Sequence, residues 1–169
     1  MNYHKITPVD IANGDGCRVT FWVSGCEHHC HNCHNPETWN LESGKPFTRS
    51  DYLYLLECLD KHYIDGLTFS GGDPLHTKNR DEITNLCILV RRVFPEKSIW
   101  LYTGYLWEKV RHLPIMNYID VLVDGKFEEE KSVLDLQYRG SLNQRVIDVK
   151  ESITKGEIIY YVSDYIRRD

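Results

Sequence analysis

Residues 17–36 read CRVTFWVSGCEHHCHNCHNP, and the change of character inside this stretch decides the fold. Its first part, CRVTFWVS (residues 17–24), is β-branched and aromatic, which suits a strand packed on a buried pleated surface. Asn13-Gly14-Asp15-Gly16 stands just before it and supplies a tight-turn signal. At Ser24-Gly25 the apolar run stops. A loop follows in which Cys26, Cys30 and Cys33 alternate with His28, His29, His31 and His34.

The same switch from apolar strand to glycine and polar chemistry recurs along the chain. GLTFS (residues 66–70) ends in Gly71-Gly72-Asp73-Pro74, residues 98–102 end in Thr103-Gly104, and residues 119–123 end in Asp124-Gly125. Helices are predicted between these strands. One spans residues 48–62, with Thr48 as cap, Asp51 three residues on, and Tyr52, Leu55, Leu56 and Leu59 in one stripe. Another spans residues 79–94, with Ile83, Leu86, Cys87, Val90 and Phe94 on one face and Pro95 as its stop. A short helix ends before Pro114, and residues 145–149 and 158–162 read as the last two strands.

Strands alternating with helices imply βαβ units and a mainly parallel sheet. In such α/β architectures ligands bind at the carboxyl ends of the strands, so the four glycine-containing loops should converge on one site. A complete eight-fold barrel takes about 250 residues. This chain has 169 and is expected to form a single domain over residues 1–169, an open partial (β/α) barrel.

Composition narrows the function. With Lys+Arg 20 against Asp+Glu 25 the net charge is −5, which argues against a nucleic-acid binder held by phosphate contacts. No apolar run approaches the ~18 residues needed to cross a bilayer. The start MNYHKITPVD lacks the apolar stretch of a signal peptide, so a cytoplasmic location is expected. In that reducing compartment six cysteines are not a disulfide framework.

Three of them crowd into Cys26-x-x-x-Cys30-x-x-Cys33 and need a chemical reason. Three thiolates suit one face of a cuboidal iron–sulfur cluster and leave a fourth iron open to a small molecule. Structural zinc, which takes four closed ligands, is the competing reading, because four histidines interleave the cysteines. Only one Cys-x-x-Cys pair is present, and the loop leaves a strand toward other glycine-rich strand ends, which suits catalysis better than a staple. Cys87 lies on a helix stripe and reads as core, while Cys17 and Cys58 carry no visible chemistry.

A cysteine motif of this spacing directly after the first strand of an α/β chain resembles the radical S-adenosylmethionine superfamily. The closer similarity is to the activating proteins of anaerobic ribonucleoside-triphosphate reductase. It is carried by Asn13 to Arg18, the Gly25-to-Trp39 loop, Ser70-Gly71-Gly72-Asp73-Pro74-Leu75, Tyr102-Thr103-Gly104-Tyr105, the Asp120-to-Phe127 segment and Arg139-Gly140-Ser141-Leu142-Asn143-Gln144-Arg145, in that order.

The resemblance implies that Cys26, Cys30 and Cys33 bind a [4Fe–4S] cluster whose open iron takes S-adenosylmethionine. It assigns Gly71, Gly72 and Asp73 to the cofactor's amino group. Thr103 and Asp124, at the third and fourth strand ends, are candidates to contact the methionyl or ribose part, and Lys126 to offset the carboxylate; a strand-end hydroxyl and ordinary turn residues are the competing reading. Arg139 opens a donor-rich loop for the cofactor or the partner. Asn32 also falls beside the cofactor. The wider superfamily often has an aromatic residue there, packed on adenine, so that contact is not expected here. His28 matches the family pattern as a support behind the cluster, and Trp39 reads as packing.

The implied activity is formation of a glycyl radical on the reductase, with a reductant such as flavodoxin supplying the electron. Two other readings remain: a different radical S-adenosylmethionine enzyme, either another glycyl-radical activase or a carbocycle synthase, and a non-catalytic zinc scaffold.

Overall fold

Val19, Phe21 and Val23 alternate with Arg18, Thr20 and Trp22, and a period of two sends these sets to opposite faces of a strand. The computed structural model, which describes residues 1–163, makes that strand the second of a seven-stranded sheet. The strands are β1 (Asn2–Asp10), β2 (Arg18–Val23), β3 (Lys45–Pro46), β4 (Gly66–Gly71), β5 (Ser98–Tyr102), β6 (Val121–Asp124) and β7 (Arg145–Asp148). Their spatial order is β3-β1-β2-β4-β5-β6-β7. The central four, β2, β4, β5 and β6, run parallel, while β1, β3 and β7 join by antiparallel pairing. The sheet is mixed and does not close.

Register turns the alternation into two chemistries. Arg18 pairs with Gly66 and Thr20 with Thr68, and Gly66 and Thr68 in turn pair with Ser98 and Trp100. This polar and aromatic set lies on the face opposite the main core. The other set, with Val19, Phe21, Leu67, Phe69, Ile99, Leu101 and Leu122, is fully buried in the main hydrophobic core. Against it pack α1 (Arg49–Leu59) through Leu55 and Leu59, and α2 (Arg80–Val93) through Ile83, Leu86, Cys87 and Val90. α1 starts with the expected capping box: Thr48 accepts from Asp51 N–H, and the Asp51 carboxylate takes the Thr48 N–H. α3 (Trp107–Val110) follows β5 and adds Trp107 and Val110 to the same core. No helix among the described residues is long and apolar enough to cross a membrane.

Arg18 fills this face at the amino ends of the parallel strands. Its side chain is fully buried, donates to Thr68 Oγ1, Leu67 O, Ser98 O and Oγ and Asp15 O, and lies 5.3 Å from the Trp100 ring centroid. Gly66 is glycine for this reason: a Cβ there would sit 2.0 Å from Ser98 O and 2.8 Å from the guanidinium.

Two expectations change. Residues 158–162 do not form a strand; they make a single bridge, Tyr160 to Ile147. The chain leaves β7 directly into α4 (Val149–Lys155), capped by Asp148 and ended by Gly156 at φ 74, and it returns only far enough to touch β7. The second change is β1, a strand in a stretch with no clean alternation. Two register irregularities interrupt its pairing with β2, and Pro8 falls within the second.

Candidate functional site

The carboxyl ends of β2, β4, β5 and β6 surround a cavity of about 380 Å³. Cys26, Cys30 and Cys33 all line it, partly exposed and free of disulfides. The loop that carries them coils tightly. His29 and Asn32 adopt left-handed backbone (φ 46 and 50), and Cys33 N–H donates to Cys30 O at 3.1 Å. Its base is tied down by Gly25 N–H to Thr38 O and Cys26 N–H to Trp39 O.

Burial pushes the Cys26 thiol up to about 11, with the His28 backbone N–H opposing the rise. Burial likewise raises Cys30, opposed by the Phe127 backbone N–H. The Asn35 N–H donates to Cys33 Sγ at 3.4 Å. Each sulfur thus has a main-chain N–H turned toward it. A main-chain N–H facing sulfur favours the thiolate, so the site suits metal-bound thiolates.

The four imidazoles have other partners. His28 Nε2 is 2.6 Å from Asp73 Oδ2, and His31 Nδ1 is 2.9 Å from Glu129. His29 packs on Trp39, and His34 on Phe127.

Opposite the cysteines lies the loop after β4. Gly71 holds φ 97, and a Cβ on Gly72 would come within 2.6 Å of Gly25 O, so both glycines let the β4 loop cross the β2 loop. Asp73 N–H closes the crossing by donating to Gly25 O at 2.7 Å. The Asp73 carboxylate lines the cavity yet is only 1% exposed. It accepts from Leu75 N–H (2.8 Å), Thr103 Oγ1 (2.9 Å), Gly104 N–H (3.0 Å) and His28. Asp73 therefore ties together the ends of β4 and β5 and the cysteine loop.

The remaining sequence-predicted residues divide. Thr103, Lys126 and Arg139 line the cavity with Gly71, Gly72 and Asp73. Asp124 stands outside that lining. Its fully buried carboxylate takes Arg145 Nε at 2.9 Å and Trp107 N–H at 2.7 Å, making it a brace between β6, β7 and α3. Asn32 is also outside, exposed and bonded to Glu129 Oε1 at 2.6 Å. The segment from Arg139 to Arg145 braces the β6 loop: Gln144 Nε2 donates to Gly125 O, and Asn143 Nδ2 to Lys126 O.

Trp22, Tyr102 and Tyr138 line the cavity too, though the sequence reading gave none of them a role in the site. Trp22 and Tyr102 were within reach, since each shares its strand's inward face, with Thr20 and Trp100 respectively.

The chain matches the family described as a 4Fe-4S single cluster domain over residues 12–147. It is 46% identical over 157 residues to the anaerobic ribonucleoside-triphosphate reductase-activating protein of Enterobacteria phage T4, covering 93% of this chain and all of that one. Proteins of the same name from Escherichia coli K12 and Vibrio cholerae are each 43% identical, over 86% and 85% of this chain and 97% and 96% of theirs. The chain belongs to the anaerobic ribonucleoside-triphosphate reductase-activating protein family. The cluster-domain match contains the whole cavity wall, from Ala12 in the turn before β2 to Gln144 before β7. What marks this family as a cluster protein and what lines the cavity are thus the same stretch of chain.

Proposed function

We propose that this chain is a radical S-adenosylmethionine enzyme of the cytoplasm that installs a glycyl radical on anaerobic ribonucleoside-triphosphate reductase, using an electron from a reductant such as flavodoxin. The observation that carries the reading is the cavity itself, with three cysteines on one wall and the β4, β5 and β6 loops on the others. On this reading the open sheet is the partial barrel of that superfamily. Cys26, Cys30 and Cys33 would hold a [4Fe–4S] cluster and leave one iron without a protein ligand. When bound, cluster and S-adenosylmethionine together supply reductive cleavage of the sulfonium and a 5′-deoxyadenosyl radical able to take a hydrogen atom from glycine Cα.

The chain's own residues bind and orient. Gly71 and Gly72 expose main chain to the cofactor's ammonium group, since no side chain stands in the way. The Asp73 charge lies behind them and favours a cation there, although its oxygens already accept from protein donors. Lys126 offsets the cofactor carboxylate, and Thr103 and Arg139 bound the rest of the cavity. The occupied imidazoles favour the cluster over a closed zinc site, because a fourth zinc ligand would have to leave its partner.

The test is electron paramagnetic resonance of the co-expressed reductase under anaerobic conditions. A glycyl radical is expected with this chain and absent with its Cys30→Ala variant. No radical with iron-replete, folded protein would overturn the proposal.

A further inference from the structure

His28 is the one imidazole of the cysteine loop whose side chain is enclosed. It is 6% exposed, and its partner Asp73 1%, across a 2.6 Å contact. The other hydrogen bonds to that carboxylate all come from donors, so it acts as an acceptor and Nε2 carries the proton. The ring also lies flat against the β5 loop. A Cβ built on Gly104 would fall 2.3 Å from His28 Cδ2, and the Tyr105 ring meets the imidazole edge-on at 4.6 Å. One side chain thereby links the loop bearing Cys26 and Cys30 to the ends of β4 and β5.

We propose that His28 is a positioning residue that sets the cysteine loop against the wall taking S-adenosylmethionine, acting through Asp73 and the close approach at Gly104. This rests on the function proposed above. The cysteines that would hold the cluster and the Gly71-to-Asp73 loop that would take the cofactor's amino group reach the cavity from different elements, and their separation is fixed only as well as those elements are held together. The His28–Asp73 bond supplies that hold where both groups are withdrawn from water and a charge-assisted bond is strong. It also explains why position 104 is glycine, since any side chain would push the imidazole away.

The experiment compares wild type, His28→Ala, His28→Gln, Gly104→Ala and the His28→Ala/Gly104→Ala double variant after anaerobic cluster reconstitution. It measures iron content, the equilibrium Kd for S-adenosylmethionine, and the change the cofactor makes in the resonance spectrum of the reduced cluster. His28→Ala should keep its iron, raise Kd roughly ten- to hundredfold and shrink the spectral change. Glutamine carries an N–H at similar reach and should restore most of both. Gly104→Ala should mimic His28→Ala but add little on top of it, because its clash needs the imidazole.

Unchanged Kd and spectrum in iron-replete His28→Ala would overturn the proposal. So would a Gly104→Ala penalty that persists in full without the imidazole. Loss of iron from every His28 variant would assign the residue to cluster retention and equally overturn it. Failure of wild type to bind S-adenosylmethionine would instead sink the underlying function.

Discussion

Cys26 and Cys87 are both thiols raised by burial, yet their surroundings separate a ligand from a core atom. Cys26 lines a cavity with two further thiols, whereas Cys87 is fully buried on α2 among Ile83, Leu86 and Val90. Replacing Cys26, Cys30 or Cys33 by alanine should abolish S-adenosylmethionine cleavage and leave reconstituted protein short of iron; full cleavage by Cys30→Ala would refute the cluster assignment. Cys87→Ala should keep cleavage and lose about 1–2 kcal/mol of stability, a fall in melting temperature of roughly 2–8 °C. Asp73→Ala should weaken S-adenosylmethionine binding roughly ten- to hundredfold. It should also lower the melting temperature, because four donors lose their acceptor together. An affinity equal to wild type in a folded, iron-replete variant would return Asp73 to a purely structural role. Spacing made the cysteines legible in the sequence. The bracing role of Asp73 was not, since sequence placed it at a strand end among the cofactor candidates but said nothing of what would donate to it. For Asp124 the limit was the same: its strand-end position was right, but its side chain turned to Arg145, whose strand sits beside β6 only after folding.

Strand β7 and helix α2 are locked to β6 and its approach by carboxylates, and each lock gives a prediction. Arg145 on β7 reaches Asp124 and also Glu108 on α3 at 3.0 Å. Arg145→Ala leaves the buried Asp124 charge unpaired and should cost about 3 kcal/mol in urea unfolding. Adding Asp124→Asn should recover much of that; no recovery would show that packing of the arginine stem matters more than its charge. Asp120, just before β6, takes Lys150 of α4 at 2.6 Å, Ile99 N–H of β5 at 2.7 Å, and Arg91 of α2. Burial alone would raise its carboxyl, but these hydrogen bonds outweigh it and hold the group below its ordinary 3.8. A depressed carboxyl stabilises the fold above the unfolded value and loses that contribution as pH falls through the lower, folded value. Urea midpoints should therefore drop below about pH 4 in wild type, and less steeply in Asp120→Asn; parallel curves would mean that Asp120 is not a source of acid sensitivity. At this scale α1 and α2 were plain in the sequence, through the Thr48–Asp51 box and the Ile83-to-Val90 stripe. β1 was not, because in NYHKITPVD only Tyr3 is fully buried and the strand exists by pairing with β2. α4 was hidden by its polar sequence, VKESITK, of which only Val149 and Ser152 are buried.

Across the whole molecule, the parallel strands β2, β4, β5 and β6 bring four loops to one end while the sheet stays open, so a large protein substrate has room to reach the cavity. Hydrogen transfer needs the reacting atoms within ~3–3.5 Å, which a glycine held inside a folded reductase core cannot achieve. A flexible glycine-bearing peptide should therefore pass deuterium from its Cα to 5′-deoxyadenosine, more weakly than intact reductase because it lacks remote docking contacts. No transfer at saturating peptide, where the reductase is activated, would point to a docked domain instead. The opposite end of the strands bears on what happens afterwards. Arg18, held by five acceptor atoms and covered by Trp100, stoppers the amino ends of the strands as a cork does a flask. On the function proposed above, methionine and 5′-deoxyadenosine would leave by the same strand-end mouth that admits the reductase, so turnover would become a queue in which the reductase steps back before the vessel is refilled. Excess reductase should slow escape of labelled 5′-deoxyadenosine in rapid-filtration assays, and an escape rate indifferent to reductase would mean a second way out.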